Sequence, residues 1–330
     1  MENIQSTLDK LTSQSDKRIS VFDVEIVRLQ NSNLTLSGRL LDETQLEALA
    51  RHFSNWKLDT SSIRILRKGV LPRMHVTTNL TGLYEKPTFY MPLSSELYYG
   101  TELEILEEQG NWVFTRQKDG YLGWAYKPYL TEGPVAKATH LVVVSSYGLR
   151  TQPARESELI TRVVSGTGVG VEEIHEGWAK VVANKTGWMP LNFLRELGAL
   201  PGSLEQKQKA LLVDSSHMIG VPYLWGGTSG NGIDCSGFVR LLHQWLGVEI
   251  PRDADMQQAA AKPVEPPVKV GDLLFFAENG SERGVTHVGM SLGGWKMIHS
   301  SRGRNGVYMD DVQERESLKK IFVSAGSFLR

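Results

Sequence analysis

The sequence predicts a multidomain α+β protein: a small N-terminal α+β module, two small β-barrels and a C-terminal α+β domain that carries the chemistry. Three observations predict it. Near the start, apolar residues alternate with period two along residues 19–29 and 34–40, then change to helical spacing from Asp42 to Phe53. Two stretches of short strands, glycine turns and paired tryptophans follow. The last part of the chain sets the only cysteine at the start of a helix, ahead of two histidines in strand-like runs.

A chain of 330 residues is long enough for two or three domains at roughly 100 to 200 residues each. The expected boundaries are 1–69, 70–134, 135–198 and 199–330, with Gly133-Pro134 and the segment Gly198 to Ser203 as connections. A net charge of −1 leaves no electrostatic footprint for nucleic acid or an anionic membrane. The single cysteine excludes an internal disulfide framework and disfavours a cysteine-based zinc site. No metal or organic cofactor is expected. The opening residues MENIQSTLDKLTSQSDKR contain no apolar core and no small-residue cleavage signature. No later stretch approaches ~20 consecutive apolar residues. A cytoplasmic location is therefore expected, with export as the alternative for a chain already trimmed of its leader.

In the N-terminal module, residues 1–17 read as a polar leader, with a short helix as the structure it could hold. Strands are expected at residues 19–29 and 34–40, a helix from Asp42 capped by that aspartate, and a strand near 63–66. The module holds no cluster of catalytic residue types. The two barrels are divergent copies of one pattern. Gly110-Asn111-Trp112 and Gly123-Trp124 in the first correspond to Gly177-Trp178 and Gly187-Trp188 in the second. Small barrels use such tryptophans more often as core than as ligand platforms, so Trp112, Trp124, Trp178 and Trp188 are expected inside.

In the last domain a helix is expected over residues 204–219, with Leu211, Leu212 and Met218 as its packed face. The run Gly226 to Gly232 is glycine-rich and precedes a helix, but it lacks the lysine of a phosphate loop and the GxGxxG order of a dinucleotide site. It is expected to be a flexible loop that lines the substrate. Cys235 then opens a helix whose Phe238, Leu241, Leu242 and Trp245 recur with the spacing of a buried face, and Gly247 ends it. A lone cysteine is ordinarily a core residue. At a helix start, however, the macrodipole and unpaired N–H groups should lower the thiol pKa, and the same groups suit an oxyanion.

His287 lies in VTHVGMSL and His299 in KMIHSS, separated by the turn Gly293-Gly294. A hairpin there brings the two imidazoles together, one to take the thiol proton and the other to orient it. His52, His75, His140, His175, His217 and His243 are expected to be structural or on the surface. Asp272 is expected at a turn or sheet edge, and the tail from Lys319 to Leu329 as a last strand closing the sheet.

The ordered set Tyr223, Trp225-Gly226-Gly227, Asp234-Cys235-Ser236-Gly237-Phe238, Pro251-Arg252, Gly271-Asp272-Leu273, His287-Val288-Gly289 and Ile298-His299 resembles the NlpC-type cysteine peptidases. These are papain-like bacterial endopeptidases that cut peptidoglycan stem peptides. By position the resemblance implies Cys235 as nucleophile, His287 as general base and His299 as the orienting third residue. Tyr223 would lie beside the oxyanion, with Asp234, Ser236 and Arg252 in the substrate-binding region. The barrels resemble bacterial SH3-type domains. Two of them ahead of an NlpC-type domain is the arrangement of the YkfC-like γ-D-glutamyl-L-diamino-acid endopeptidases. In those relatives an aspartate of the catalytic domain, with a tyrosine and a glutamate of the first barrel, binds the free amine of an N-terminal L-alanine. The corresponding residues here are Asp253, Tyr121 and Glu85, although other acidic residues near Glu85 compete for its role.

The resemblance thus implies hydrolysis of the bond between γ-D-glutamate and meso-diaminopimelate or L-lysine, on a peptidoglycan-derived peptide with a free N-terminal L-alanine. Two alternatives stand beside it: an exported endopeptidase acting on intact wall, and a catalytically inactive peptide-binding protein.

Overall fold

The computed structural model describes residues 2–278 and 284–329. They form two compact units, one built from the chain up to Met74 together with Glu102–Pro128, the other from His75–Thr101 together with the chain from Tyr129 onward. The outer ends of the predicted terminal domains, Met1 and Arg330, lie outside the described residues.

In the first unit, helix α1 (Glu2–Gln14) precedes strands β1 (Phe22–Gln30) and β2 (Asn33–Leu40), helix α2 (Glu43–His52) and strand β3 (Lys57–Ile65). Strands β1 and β2 are antiparallel, whereas β3 runs parallel to β2. A parallel neighbour requires a crossover, which α2 supplies. Asp42 caps α2 by accepting from Thr44 N–H, and Gln45 reaches back to complete a capping box. Leu34, Leu36 and Leu40 of β2 are buried against Leu49, Phe53 and, from α1, Ile4 and Leu8. The polar leader thus holds a helix, Glu2–Gln14, that buries two apolar residues one turn apart. Antiparallel strands Glu102–Gln109, Trp112–Arg116 and Leu122–Tyr126 complete this unit. There Leu106 and Leu122 pack with Leu41 and Leu66, and Glu107 receives Arg39 and Arg64.

In the second unit, Leu80–Tyr84 pairs antiparallel with β4 (Leu93–Tyr98). Residues 70–134 contribute strands to both units. In the region expected as the second barrel, the strands lie in the order Leu159–Val164, Ser146–Arg150, Thr186–Pro190, Trp178–Val182, Gly168–His175, His140–Val142, Leu194–Glu196. That order is open: no pairing among the described residues joins its two ends, so the predicted closure is not found. Its core is made of small aliphatics, among them Val142, Val163, Val169, Ala179 and Val181. These fill the interior that indoles were expected to fill. Trp178, Trp188 and Trp112 are half-buried, and Trp124 alone of the four is buried.

The remainder carries helices α3 (Leu204–Ser216), α4 (Cys235–Gln244) and α5 (Ala254–Ala260), strands β5 (Lys262–Val264), β6 (Leu273–Phe276), β7 (His287–Gly293), β8 (Lys296–Ser301) and β9 (Gly306–Asp311), the short helix α6 (Glu316–Lys319) and β10 (Phe322–Ser327). The six strands form one antiparallel sheet in the order β5-β10-β6-β7-β8-β9. The tail therefore enters the sheet between β5 and β6 rather than closing an edge.

Strand β6 is buried on both faces, with Leu273 and Phe275 in the cluster around α4 and Leu274 and Phe276 in a second cluster with Val268, Met297 and Val312. The helix α4 buries Phe238, Leu241, Leu242 and Trp245, as their spacing predicts. On α3, Leu211 is buried and Leu212 is 44% exposed; adjacent helical positions point about 100° apart, so the face holds only one of them. Trp245 Nε1 donates to the carbonyl of Val142 at 3.1 Å, and Arg195 grips Asp214 with both terminal nitrogens, at 2.8 and 2.9 Å. These contacts anchor α3 and α4. No helix among the described residues is long and apolar enough to cross a membrane.

Candidate active site

The segment before α4 is clasped rather than flexible. Gly226 adopts φ +77°, and a Cβ there would lie 2.2 Å from the carbonyl oxygen of Leu93 on β4. Thr228 N–H donates to Glu96 Oε2 at 2.7 Å, Tyr98 Oη donates to the Thr228 carbonyl at 2.6 Å, and Gly230 N–H donates to Ser165 Oγ at 2.7 Å. The loop predicted to be mobile is held from two sides because its glycines permit close backbone approach. Burial pushes the Glu96 carboxyl up, against the hydrogen bonds from Thr228 and Ser229.

Asp234 is the N-cap of α4, with Oδ1 accepting from Gly237 N–H at 2.7 Å and Oδ2 from Gly226 N–H at 3.0 Å. Arg252, 2% exposed, closes on the same carboxylate through Nη1 at 3.1 Å and Nη2 at 2.6 Å. It also donates to Ser236 Oγ at 2.9 Å and to Ser95 Oγ at 3.2 Å. The carboxylate of Asp234 is thereby committed to holding the helix start, as are the hydroxyl of Ser236 and the guanidinium of Arg252. These three residues therefore brace the helix start together, an arrangement that leaves contact with a substrate open to them.

Cys235 is the first residue of α4 and 7% exposed. Its sulfur accepts the N–H groups of Val288 and Ser236. Burial, with the charge of Asp234 adding to it, pushes the thiol up to about 12. The lowered value expected from the helix dipole is thus reversed, because removing a thiolate from water outweighs the partial charge of one helix end.

His287 immediately precedes Val288 at the start of β7. Gly293 and Gly294, with φ of 110° and 61°, turn the chain into β8. The hairpin places His287 Nε2 2.7 Å from His299 Nδ1, the ring planes at 70°. Gly289 makes room for this: a Cβ there would stand 3.1 Å from His299 Cβ and 2.7 Å from Met297 Sδ. Burial, and then the neighbouring His299, push His287 down to about 3. Behind it, His299 Nε2 lies 2.9 Å from Asp310 Oδ2, and Asp310 is bonded in turn to Arg304 at 2.8 Å and to Arg315. Burial lowers His299 as well, against the raising effect of Asp310.

Tyr223 is raised to about 12 by burial and by the nearby Cys235 and Asp234, and its hydroxyl is bonded to Arg302. The Arg302 guanidinium also sits 5.0 Å over the ring of Trp225. Asp253 is the N-cap residue of α5 without a side-chain cap bond, its Oδ1 3.9 Å from Arg252 Nη1. Glu85 is exposed just after Leu80–Tyr84. Tyr121 belongs to the first unit, where it is buried and its N–H donates to Asp119 at 3.0 Å. Asp272 accepts from Lys269 N–H at 2.7 Å, the turn role expected of it.

The sequence reading missed Glu96 and Asp310. Nothing in the local pattern around Glu96 marks it. Asp310 carried a faint signal, since a strand following His299 at hairpin distance returns an acidic residue to its side. Among the described residues no group of three or more His, Cys, Asp or Glu could hold a metal ion.

The chain is similar to known proteins in sequence and in fold. The NlpC/P60 family pattern matches residues 220–325, and that of the bacterial dipeptidyl-peptidase Sh3 domain matches residues 83–125. The gamma-D-glutamyl-L-lysine dipeptidyl-peptidase of Bacillus subtilis (strain 168) is 32% identical over 230 residues, covering 64% of this chain and 73% of that protein. The protein of the same name from Bacillus cereus is 27% identical over 250 residues, covering 65% of this chain and 69% of the relative. In fold, the crystal structure of an NlpC/P60 family protein from Bacillus cereus superposes with a TM-score of 0.68 at 22% identity, covering 78% of this chain and all of that one. With a relative of this identity and coverage, and the family pattern matching the segment that holds Cys235, His287 and His299, the chain belongs to the NlpC/P60 family.

Proposed function

We propose that the protein is a cysteine peptidase that hydrolyses the γ-D-glutamyl bond to a diamino acid, L-lysine or meso-diaminopimelate, in peptidoglycan-derived peptides. The observation that carries the reading is the 2.7 Å contact between His287 and His299 beside a thiol that accepts the N–H of Val288.

Burial leaves both the thiol and the imidazole neutral at rest. As Cys235 Sγ attacks the γ-carbonyl carbon, its proton passes to His287, and the forming imidazolium compensates the thiolate that burial alone disfavours. The oxyanion is met by the N–H of Cys235, at the helix position where amides have no intrahelical acceptor, and by the hydroxyl of Tyr223. Tyr223 suits a donor because its raised pKa keeps it protonated. His287 then gives its proton to the leaving amine, the C–N bond breaks, and water hydrolyses the thioester with His287 again as base.

Asp253 is the residue proposed to meet the free amine of an N-terminal L-alanine, since a carboxylate gives an ammonium a charge-assisted hydrogen bond. A free amine occurs on fragments already cut from the glycan, which favours a recycling role in the cytoplasm.

The test is mass spectrometry of products from L-Ala-γ-D-Glu-meso-diaminopimelate, its L-lysine counterpart and their N-acetylated forms, with Cys235→Ala as control. Release of L-Ala-γ-D-Glu from the free-amine peptides alone, absent in the control, is the expected result. Equal cleavage of the acetylated forms would overturn amine recognition and favour a wall endopeptidase. Cleavage of none would favour a binding protein.

A further inference from the structure

We propose that Asp310 is a positioning residue that fixes the tautomers of His299 and His287 in series, so that His287 presents an unprotonated Nδ1 to the reacting thiol. The inference rests on reading Cys235 and His287 as nucleophile and base.

Asp310 is bonded to two guanidinium groups, those of Arg304 and Arg315, which hold it as a carboxylate. A carboxylate only accepts, so His299 Nε2, 2.9 Å from Oδ2, carries the hydrogen. A neutral imidazole has one donor and one acceptor, so His299 Nδ1 accepts. Its partner at 2.7 Å, His287 Nε2, must donate, and the lone pair of His287 is then on Nδ1. One carboxylate thereby determines where the hydrogens of two rings reside.

The arginines have a part in this as well. A carboxylate alone beside a buried imidazole would draw a second proton onto it, and an imidazolium His299 would donate from Nδ1 toward His287. His287 Nε2 would then have to accept, leaving its hydrogen on Nδ1 and nothing to receive the thiol proton. Arg304 and Arg315 offset the charge of Asp310 and keep His299 neutral. The register makes the arrangement possible: Asp310 pairs with Met297 and Tyr308 with His299 across β8 and β9, so Asp310 reaches His299 as a diagonal neighbour on one face.

The test is nitrogen NMR of ring-labelled histidines in the full chain at neutral pH. In the unsubstituted protein both His287 and His299 should show Nε2–H with a bare Nδ1. A hydrogen on Nδ1 of either ring would overturn the proposal without any variant. In Asp310→Asn the amide can turn its NH2 toward His299, so the signals of both rings should move together to the other tautomer or to a mixture. The kcat should fall at least tenfold with KM little changed. Asp310→Asn with wild-type tautomers and wild-type kcat would also overturn it. Cys235→Ala, expected to lose activity while keeping both tautomers, separates failure of this proposal from failure of the peptidase reading.

Discussion

Arg252 closes a two-pronged ion pair on Asp234, the residue that caps the helix beginning at Cys235. The pair is nearly closed to solvent, and every carboxylate oxygen bond it makes serves the geometry of the helix start. Removing the guanidinium leaves a buried charge without its partner, which costs about 3–5 kcal/mol. Arg252→Met should therefore lower the urea midpoint strongly. Arg252→Lys should recover only part of it, because an ammonium cannot reproduce the fork. Urea unfolding of both variants, read with kcat, checks this.

Gly226 stands where the chain passes against the carbonyl of Leu93 with φ +77°. Gly226→Ala adds a methyl that neither the contact nor the backbone conformation accepts, with an expected loss of about 1–3 kcal/mol. Glu96→Ala acts on the same loop by removing the acceptor of Thr228 N–H. Leaving a buried donor unpaired costs about 1–3 kcal/mol. Thermal unfolding gives the stability change, and hydrogen exchange at Thr228 should quicken in both variants.

Because burial holds the Cys235 thiol protonated, the free protein should react with iodoacetamide at neutral pH far more slowly than an exposed cysteine. The rate should climb as the pH rises through the alkaline range. The chain has one cysteine, so the modified mass reports this site alone. A fast reaction at pH 7 would contradict a neutral resting thiol.

His287 is held well below the ordinary imidazole value, so its neutral, proton-accepting form persists below pH 6.5. The acid limb of kcat/KM should lie below that value and not at it. A pH–rate profile showing half-maximal kcat/KM at 6.5 or above would contradict the burial of the base.

His243 is fully buried on α4 and lowered to about 4. Its value is lower folded than unfolded, so the unfolded chain takes the proton first. Stability is full above the unfolded value near 6.5 and declines as the pH falls toward 4. At pH 5 this one group should cost about 2 kcal/mol relative to pH 7. Urea unfolding at the two pH values measures the loss, and His243→Leu should remove its share.

The sequence alone determined those features that depend on neighbours along the chain. The period of Phe238, Leu241, Leu242 and Trp245 set the buried face of α4. The Gly293-Gly294 turn set the hairpin that joins His287 to His299, and Asp42 set the start of α2. Tertiary structure decided whatever depends on burial and on partners far along the chain. It raised the Cys235 thiol where local electrostatics alone would lower it, since desolvation is a property of the packed interior. It turned Asp234, Ser236 and Arg252 into a brace, brought Glu96 and Ser95 from β4 onto that brace and its loop, and placed Asp310 behind His299. A hydrogen bond between residues 132 positions apart, as between Thr228 and Glu96, leaves no periodic trace in either segment, because only the folded chain makes them neighbours.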